Sequence, residues 1–390
     1  MSVKTVSDYS IEIIETLDGF KEIRDDWERL FNLKNKITLF FSFEVIQTYY
    51  QTILRSFKNV KIKIFIIRNS NQQIVAIFPF TYEIKLFPSF LSFKELALKN
   101  DYLIDFYYFL VDPAENQGEI FNQFVQFLKK RKKKWDIIKI NFIPEDENLF
   151  KIFNSIFGKH YKINIDKIET LIIDCDREFD EYIKDMDRKD KKDIKRQYRR
   201  IEEKGIVTIV EMKYPHEIEK GLQYFYDIED SGWKGAEGTS LKRSYYGEYF
   251  KEIALHFSKE DKFRLYFLQL NDKYIAGIYG IIDHGTLYIV KTGYSDEFSQ
   301  YSPSKVLYYL LFERLFKEKS ICKIDFYGPF KNYEKNFGKR TRKRYKITVC
   351  NEKIFSTFYF VFLQILKIIK YPFPEDSLRG KLMTKLKKMY

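Results

Sequence analysis

The sequence predicts a two-domain α/β (α+β) protein, each half a mixed, mostly antiparallel sheet flanked by helices. Three observations predict it. The chain has 390 residues, beyond the size at which a single core stops growing. Runs of period two alternate along it with runs of period 3.6. The order of those runs begins again near Thr170. The expected division is residues 1–168, residues 169–352, and a helical extension with a basic tail over 353–390.

Apolar residues make up 45% of the chain and aromatics 18%, so it can bury large cores and lacks the composition of a disordered protein. The formal net charge of +13 raises phosphate neutralisation, and hence nucleic acid, as a candidate role. The joint abundance of Lys, Ile, Phe, Tyr and Asn points instead to a general compositional bias. Cys175, Cys322 and Cys350 are odd in number and far apart, which supports neither a disulfide framework nor a metal knuckle. With an N-terminus, MSVKTVSDYSIEIIE, that lacks a secretory pattern, the reading is a cytoplasmic protein. Phe355 to Ile369 is interrupted by Ser356, Gln364 and Lys367 and is shorter than the roughly 20 residues that span a bilayer. It reads as a helix packed on its domain. With the basic residues Lys381 to Lys388 behind it, the other reading is peripheral contact of residues 354–390 with the inner, anionic face of a membrane.

SIEIIET opens the first half as a strand. Phe20, Ile23, Trp27, Leu30 and Phe31 then recur at helical spacing, and FFSFEVIQTYYQTI forms a second amphipathic helix. KIKIFIIRN and QQIVAIFPFTYEI are strands joined at Ser70 and Asn71. A helix over Gly118 to Lys130 and a strand over Trp135 to Phe142 follow. No phosphate-binding glycine loop or metal-ligand set occurs here, so this half is expected to be structural or to shape an acceptor site.

From Thr170 come strand TLIIDCD, a long charged helical region to Glu203, strand IVTIVEM, and helices Pro215 to Ser231 and Tyr245 to Ser258. FRLYFLQL, KYIAGIYGIID and TLYIVKTGY make an antiparallel meander with turns at Asn271-Asp272 and His284-Gly285. Ser302 as N-cap and Pro303 at the first helical position start a helix through Val306, Leu307, Leu310, Leu311 and Leu315. Strand CKIDFYG, a short helix over Tyr333 to Phe337 and strand YKITVC complete the domain.

Three stretches of this half suit chemistry. In TGYSDEFSQYSPSKVL a strand passes through a polar loop into the Pro303 helix, whose first amides lack internal partners and face the positive end of the dipole. Such a start can hold a pyrophosphate such as that of coenzyme A, with Asp296, Ser302, Pro303, Ser304 and Lys305 at the seat. The plain alternative is an ordinary capped helix. DIEDSGWKGAEGTSLKR gathers Glu229 and Asp230 beside a glycine-rich loop carrying Trp233, Lys234 and Gly238. That suits a substrate-contacting loop, or equally a connection with Trp233 plugged into the core. IDFYGPFKNYEKNFGKR delivers Asp325, Tyr327, Gly328, Lys331, Tyr333 and Lys335 to one place. An amine attacking a thioester must lose a proton, and the departing thiolate gains one from a donor such as a tyrosine hydroxyl. Asp325 also reads as a buried acceptor that holds the fold. The four histidines are scattered, no Cys, His and Asp set suggests a covalent nucleophile, and no metal is expected.

These stretches, with KKDIKRQYRRIEEKG before them, resemble in order and rough spacing the cellulose-biosynthesis-type acetyltransferase family of the GNAT superfamily, a relative of the Fem aminoacyltransferases. The Trp27 helix and Asp105 add weaker agreement. The resemblance implies tandem GNAT-like folds, an acyl-CoA donor with acetyl-CoA foremost, and an amino-group acceptor such as an amino sugar in polysaccharide or cell-envelope synthesis. It marks Trp233, Lys234, Gly238, Asp296, Ser302, Pro303, Asp325, Gly328 and Tyr333 as site positions. The chain departs from the pattern at Ser304, where the family has glycine, and at Glu334, where it has lysine.

The expected activity is therefore direct N-acyl transfer. Glu229 or Asp230 would relay the amine proton, Tyr327 or Tyr333 would protonate the thiolate, and backbone donors at the strand end would hold the oxyanion. One alternative is Fem-type transfer from aminoacyl-tRNA, with Lys129 to Lys134 and Arg340 to Arg344 on the RNA. Another is a non-catalytic binding or assembly module of degenerate fold, to which Ser304 and Glu334 would testify.

Overall fold

The structure, a computed structural model, describes residues 9–34, 37–86, 92–98, 106–145, 148–238 and 240–369. The chain opens with strand β1 (Ser10–Ile14), helices α1 (Leu17–Glu22) and α2 (Arg24–Asn32) and, past a 3-10 turn at Leu39–Phe41, helix α3 (Phe43–Ser56). Strands β2 (Lys61–Arg68), β3 (Ile74–Leu86), β4 (Ser92–Ala97) and β5 (Leu110–Val111) precede helix α4 (Gln117–Lys130), strand β6 (Ile137–Pro144), helix α5 (Asn148–Gly158) and strand β7 (Lys162–Asp174). Helices α6 (Phe179–Asp185) and α7 (Arg188–Glu202) lead to strand β8 (Val207–Met212) and helices α8 (Pro215–Ser231), α9 (Trp233–Ala236) and α10 (Tyr246–Lys259). The meander is β9 (Phe263–Leu270), β10 (Lys273–Asp283) and β11 (Thr286–Tyr294). Helix α11 (Pro303–Glu318), strand β12 (Lys323–Asp325), a 3-10 turn at Asn332–Asn336, strand β13 (Thr341–Cys350) and helix α12 (Ile354–Ile369) end it.

Two compact units result. One gathers residues 1–37, 57–167 and 345–390, the other residues 38–56 and 168–344. The chain passes between them after Ile37, after Ser56, within β7 and within β13.

In the first unit the strands run β1-β2-β3-β4-β6, with β5 on β3. All these pairs are antiparallel except β4 with β6. Phenylalanines fill the space between sheet and helices: the Phe78 ring lies 5.5 Å from Phe121 and 5.0 Å from Phe124, and Phe153 stacks on Phe157 at 4.0 Å. Rings of this size contribute most of the buried apolar area of a core. The Phe20 to Phe31 periodicity belongs to two helices. Thr16 caps α1 through the Gly19 amide, and Ile23, at φ −95° and ψ 17°, breaks the path before α2. Neither β4 nor α5 is among the elements expected from the sequence: SFKELA is short and charged, whereas NLFKIFNSIFG does carry a helical period, with Leu149, Phe153 and Phe157 on its buried side.

In the second unit the order is β7-β12-β11-β10-β9-β8, antiparallel throughout except β11 with β12. Val306, Leu307, Leu311, Phe312 and Leu315 of α11 enter one continuous core with Leu268, Ile278, Leu287 and Ile324 of the sheet. The charged region before Glu203 is two helices, parted at Met186 and Asp187, which are extended. On β10 and β11, Gly277 and Gly293 face each other. A Cβ at Gly277 would stand 2.9 Å from the Phe225 ring, and one at Gly293 3.2 Å from Glu229 Cβ. Only glycine lets α8 settle this closely, and that approach sets the C-terminal end of α8 beside the end of β11.

Candidate functional site

The second unit contains a fork between two parallel strands. Thr286, Leu287 and Tyr288 of β11 pair with Lys323, Ile324 and Asp325 of β12. There β12 stops, while β11 continues to Tyr294 on the arm of β10 alone. No strand among the described residues pairs with the other edge of Ile289–Tyr294. The β10 to β11 register also shifts between Tyr279 and Gly280, a bulge that bends β11 and re-aims its side chains.

The residues that end β12 explain the fork. Asp325 is buried, and its Oδ1 accepts from the Tyr327 amide at 2.8 Å. Its Oδ2 accepts from Arg342 Nε at 3.0 Å and is ion-paired with the Arg342 terminal nitrogen at 2.8 Å. Tyr327 has φ 59°, and the Gly328 amide donates to Phe326 O at 2.6 Å across it. A non-glycine residue held there stores about 1–3 kcal/mol of strain. Arg344, fully buried, grips the far side by donating to Tyr327 O at 2.5 Å and Thr170 Oγ1 at 2.6 Å. At the fork itself, Phe40 lies 5.1 Å from the Tyr288 ring and 4.4 Å from the Tyr327 ring. Asp325 is thus the anchor of the turn, and the Tyr327 ring, 2% exposed, belongs to the core. Arg342 and Arg344 face Asp325 and the Tyr327 carbonyl, and Arg340 pairs with Asp174.

The start of α11 differs from a side-chain-capped helix. Ser302 is left-handed at φ 48° and ψ 53° and makes no side-chain cap. Pro303 has no amide hydrogen, and the amides of Lys305 and Val306 donate back to Ser302 O at 2.9 and 3.4 Å. What remains is the Ser304 amide, together with a buried Ser304 Oγ that has no partner among the described residues. Lys305 stitches α11 to α7 through Asp193 at 3.3 Å. The Asp193 carboxyl is held below its usual range by its hydrogen bond from Arg196, and further by Lys305. Basic α7 flanks this start: Arg200 donates to Gln300 O at 3.1 Å and lies over the Tyr301 ring at 4.8 Å. Asp296, in the polar loop, is exposed.

Beyond the fork, a line of hydroxyls leads to a buried carboxyl. Thr292 Oγ1 and Tyr308 OH are 2.6 Å apart. The Tyr333 phenol is close enough to Tyr308 and to Glu334 for each to influence its proton. Glu334 is 3% exposed. Its Oε2 accepts from the Lys331 amide at 2.9 Å. Burial pushes its carboxyl up to about 7, aided by the charge of Asp325 and opposed by the Lys331 and Tyr333 bonds. Burial and the Glu334 carboxylate raise the Tyr333 phenol, so it is protonated and donating at neutral pH. Tyr333 is 41% exposed. In sequence Glu334 is marked only by its departure from a lysine and by the aromatic residues Phe330, Tyr333 and Phe337 around it.

The end of α8 supplies a second wall. Glu229 is buried and accepts from the Leu241 amide at 2.8 Å. Asp230 bonds Ser240 at 2.5 Å and Arg243 at 2.7 Å, and these hold its carboxyl below the usual range. A carboxylate so stabilised is a weak proton acceptor. Trp233 and Lys234 lie in the short α9 turn, and their side chains fall outside the described residues, as do Asp105 and the 381–388 tail. Gly238 is exposed at φ 69°. Gly328 sits in the turn after β12, and Lys331 and Lys335 are exposed on either side of Tyr333. Among the described residues no group of three His, Cys, Asp or Glu side chains could hold a metal ion.

Residues 188–338, from α7 through the fork to the Glu334 turn, match the family model described as an acetyltransferase (GNAT) domain. Three solved structures share the fold over most of the chain. FemX is 14% identical, covering 89% of this chain and 99% of its own, with a TM-score of 0.52. The C-terminal domain of a putative lysylphosphatidylglycerol synthetase from Agrobacterium fabrum is 10% identical, covering 90% and 97%, with a TM-score of 0.50. L-PGS from Bacillus licheniformis is 13% identical, covering 87% and 96%, also with a TM-score of 0.50. At these identities the likeness is one of fold. No curated protein matches the sequence. The chain has a mixed α/β, GNAT-like fold.

Proposed function

We propose that this protein transfers an acyl group from a coenzyme A thioester to an amine, with the thioester against the open edge of Ile289–Tyr294. The observation that carries the proposal is the fork: parallel β11 and β12 part after three residue pairs, immediately before the helix whose start carries the unpartnered Ser304 groups. A phosphate oxygen arriving at this helix start would meet the Ser304 amide at the positive end of the dipole. The serine that replaces the family's glycine then adds a donor to the seat. Basic α7 supplies the positive field that a pyrophosphate requires. The match over residues 188–338 to an acetyltransferase domain supports the same reading.

In the proposed reaction the amine nitrogen bonds the thioester carbonyl carbon, and the carbon–sulfur bond breaks. Backbone amides on the open edge of β11 hold the carbonyl oxygen as it gains charge. Tyr333 gives its proton to the departing thiolate, and Glu334, ionised above about 7, takes the proton that the amine releases and restores the phenol. The net change is one proton from nitrogen to sulfur. The acceptor is an amino group such as that of an amino sugar, as the resemblance to the cellulose-biosynthesis-type acetyltransferases implies.

The test pairs thermal unfolding against a panel of acyl-CoAs with thiol release in the presence of amines. A ligand at a hundredfold excess over its Kd stabilises by roughly 3 kcal/mol, a rise of several degrees. Such a rise with one acyl-CoA, followed by amine-dependent thiol release, is expected. Stabilisation by aminoacyl-tRNA that fades steeply with salt, with no response to any acyl-CoA, would replace this donor. Silence from both would make the chain a binding module.

A further inference from the structure

Helix α12 has two faces with different surroundings. Tyr359 and Leu363 are buried with Phe93, Ile137 and Cys350, and the Phe355 ring stacks on Phe93 at 5.4 Å. Ser356, completely buried, donates to Asp136 O at 3.0 Å. These contacts fix the rotation of the helix about its axis. On the opposite side Ile354 is 93% exposed, Phe358 55%, Val361 47% and Ile365 46%. At about 100° per residue the four directions fall within roughly 60° of one another. They form one apolar stripe that the packing holds outward, unlike single exposed apolar residues, which are ordinary.

Positive charge lies beside the start of this stripe in the structure and follows its end in the sequence. Asn351, just ahead of α12, donates through Nδ2 to Lys132 O and Trp135 O, both at 2.9 Å. That bond fixes the helix start beside the exposed run Arg131, Lys132, Lys133 and Lys134. Past the other end, residues 370–390 carry Lys370, Arg379, Lys381, Lys385, Lys387 and Lys388 against only Glu375 and Asp376. An apolar helix face between basic clusters is the chemistry of a helix lying in the plane of an anionic lipid surface, with apolar side chains among the acyl chains and cations at the headgroups. No helix among the described residues is long and apolar enough to cross a membrane, so the contact would be one of lying on the surface.

We propose that α12 docks this protein on an anionic lipid surface, with Ile354, Phe358, Val361 and Ile365 inserted and the Lys132–Lys134 turn on the headgroups. The inference is independent of the acyl-transfer reading. The test is co-sedimentation of the full chain with vesicles of phosphatidylcholine alone or mixed with phosphatidylglycerol, at several salt concentrations. Binding to the mixed vesicles only, weakening as salt rises, is expected. Phe358→Asp with Val361→Asp should weaken it at least about tenfold, and Lys132→Gln, Lys133→Gln and Lys134→Gln together on the order of a hundredfold. Both sets alter exposed side chains, and an unchanged melting curve will show that the fold is intact. Three results would each overturn the proposal: no sedimentation with the mixed vesicles, equal binding by the Phe358 and Val361 variant, or a dimer in solution that this variant dissolves while vesicles bind nothing. The last would assign the stripe to a second copy of the chain.

Discussion

Replacing Glu334 by glutamine removes a titration that should be visible in stability as well as in activity. The fold raises this carboxyl from its ordinary 4.5 to about 7. Between those values the folded chain holds a proton that the unfolded chain has released. Stability therefore falls as pH rises through that window and levels off above it. The lost stability is roughly 3 kcal/mol, a large fraction of the net stability of an ordinary domain. Glutamine preserves the shape and the acceptor for the Lys331 amide but cannot ionise. Urea unfolding of both proteins across the window should show Glu334→Gln gaining on the parent as pH rises, by that amount in all. In turnover, the limb of kcat/KM that rises near pH 7 should vanish in the variant, with a loss on the order of a hundredfold or more. A stability difference that stays flat with pH would refute the claim that burial governs this carboxyl. A retained limb would remove Glu334 from the proton path.

Other perturbations address the neighbouring contacts. Arg342→Ala leaves the Asp325 carboxylate buried without its cation and should destabilise by about 3–5 kcal/mol in urea unfolding, whereas Asp325→Asn, which keeps an acceptor for the Tyr327 amide, should cost less. Tyr308→Phe breaks the 2.6 Å bond to Thr292, which should lower stability by about 1 kcal/mol and slow amine-dependent thiol release. Ser304→Gly should leave melting within about 1 kcal/mol of the parent, a surface-like cost, yet weaken acyl-CoA binding in calorimetry; unchanged affinity would detach Ser304 from the phosphate seat.

Most of the second unit is legible in the sequence because its periods are regular. Pro215 to Ser231, the turns at Asn271 and His284, and the Pro303 start all lie where local chemistry places them. Ser302 marks the start of its helix correctly yet acts through a left-handed backbone instead of its hydroxyl. The fork is only half legible: CKIDFYG reads as one strand, but its pairing with β11 ends at Asp325. The cause is tertiary, since Arg342 and Arg344 from β13 hold the Tyr327 turn. Glu334 shows the same limit. Its acidity depends on burial, which one-dimensional spacing does not report. Asp230 reads as a free base in sequence because its partners, Ser240 and Arg243, lie in the following loop.

Amide hydrogen exchange with and without an acyl-CoA probes the fork most directly. Exchange should slow at Ile289 to Tyr294 and at Ser304 when the thioester binds, with little change on β9. Stabilisation by the thioester with those amides unchanged, and protection appearing elsewhere, would contradict binding at the fork.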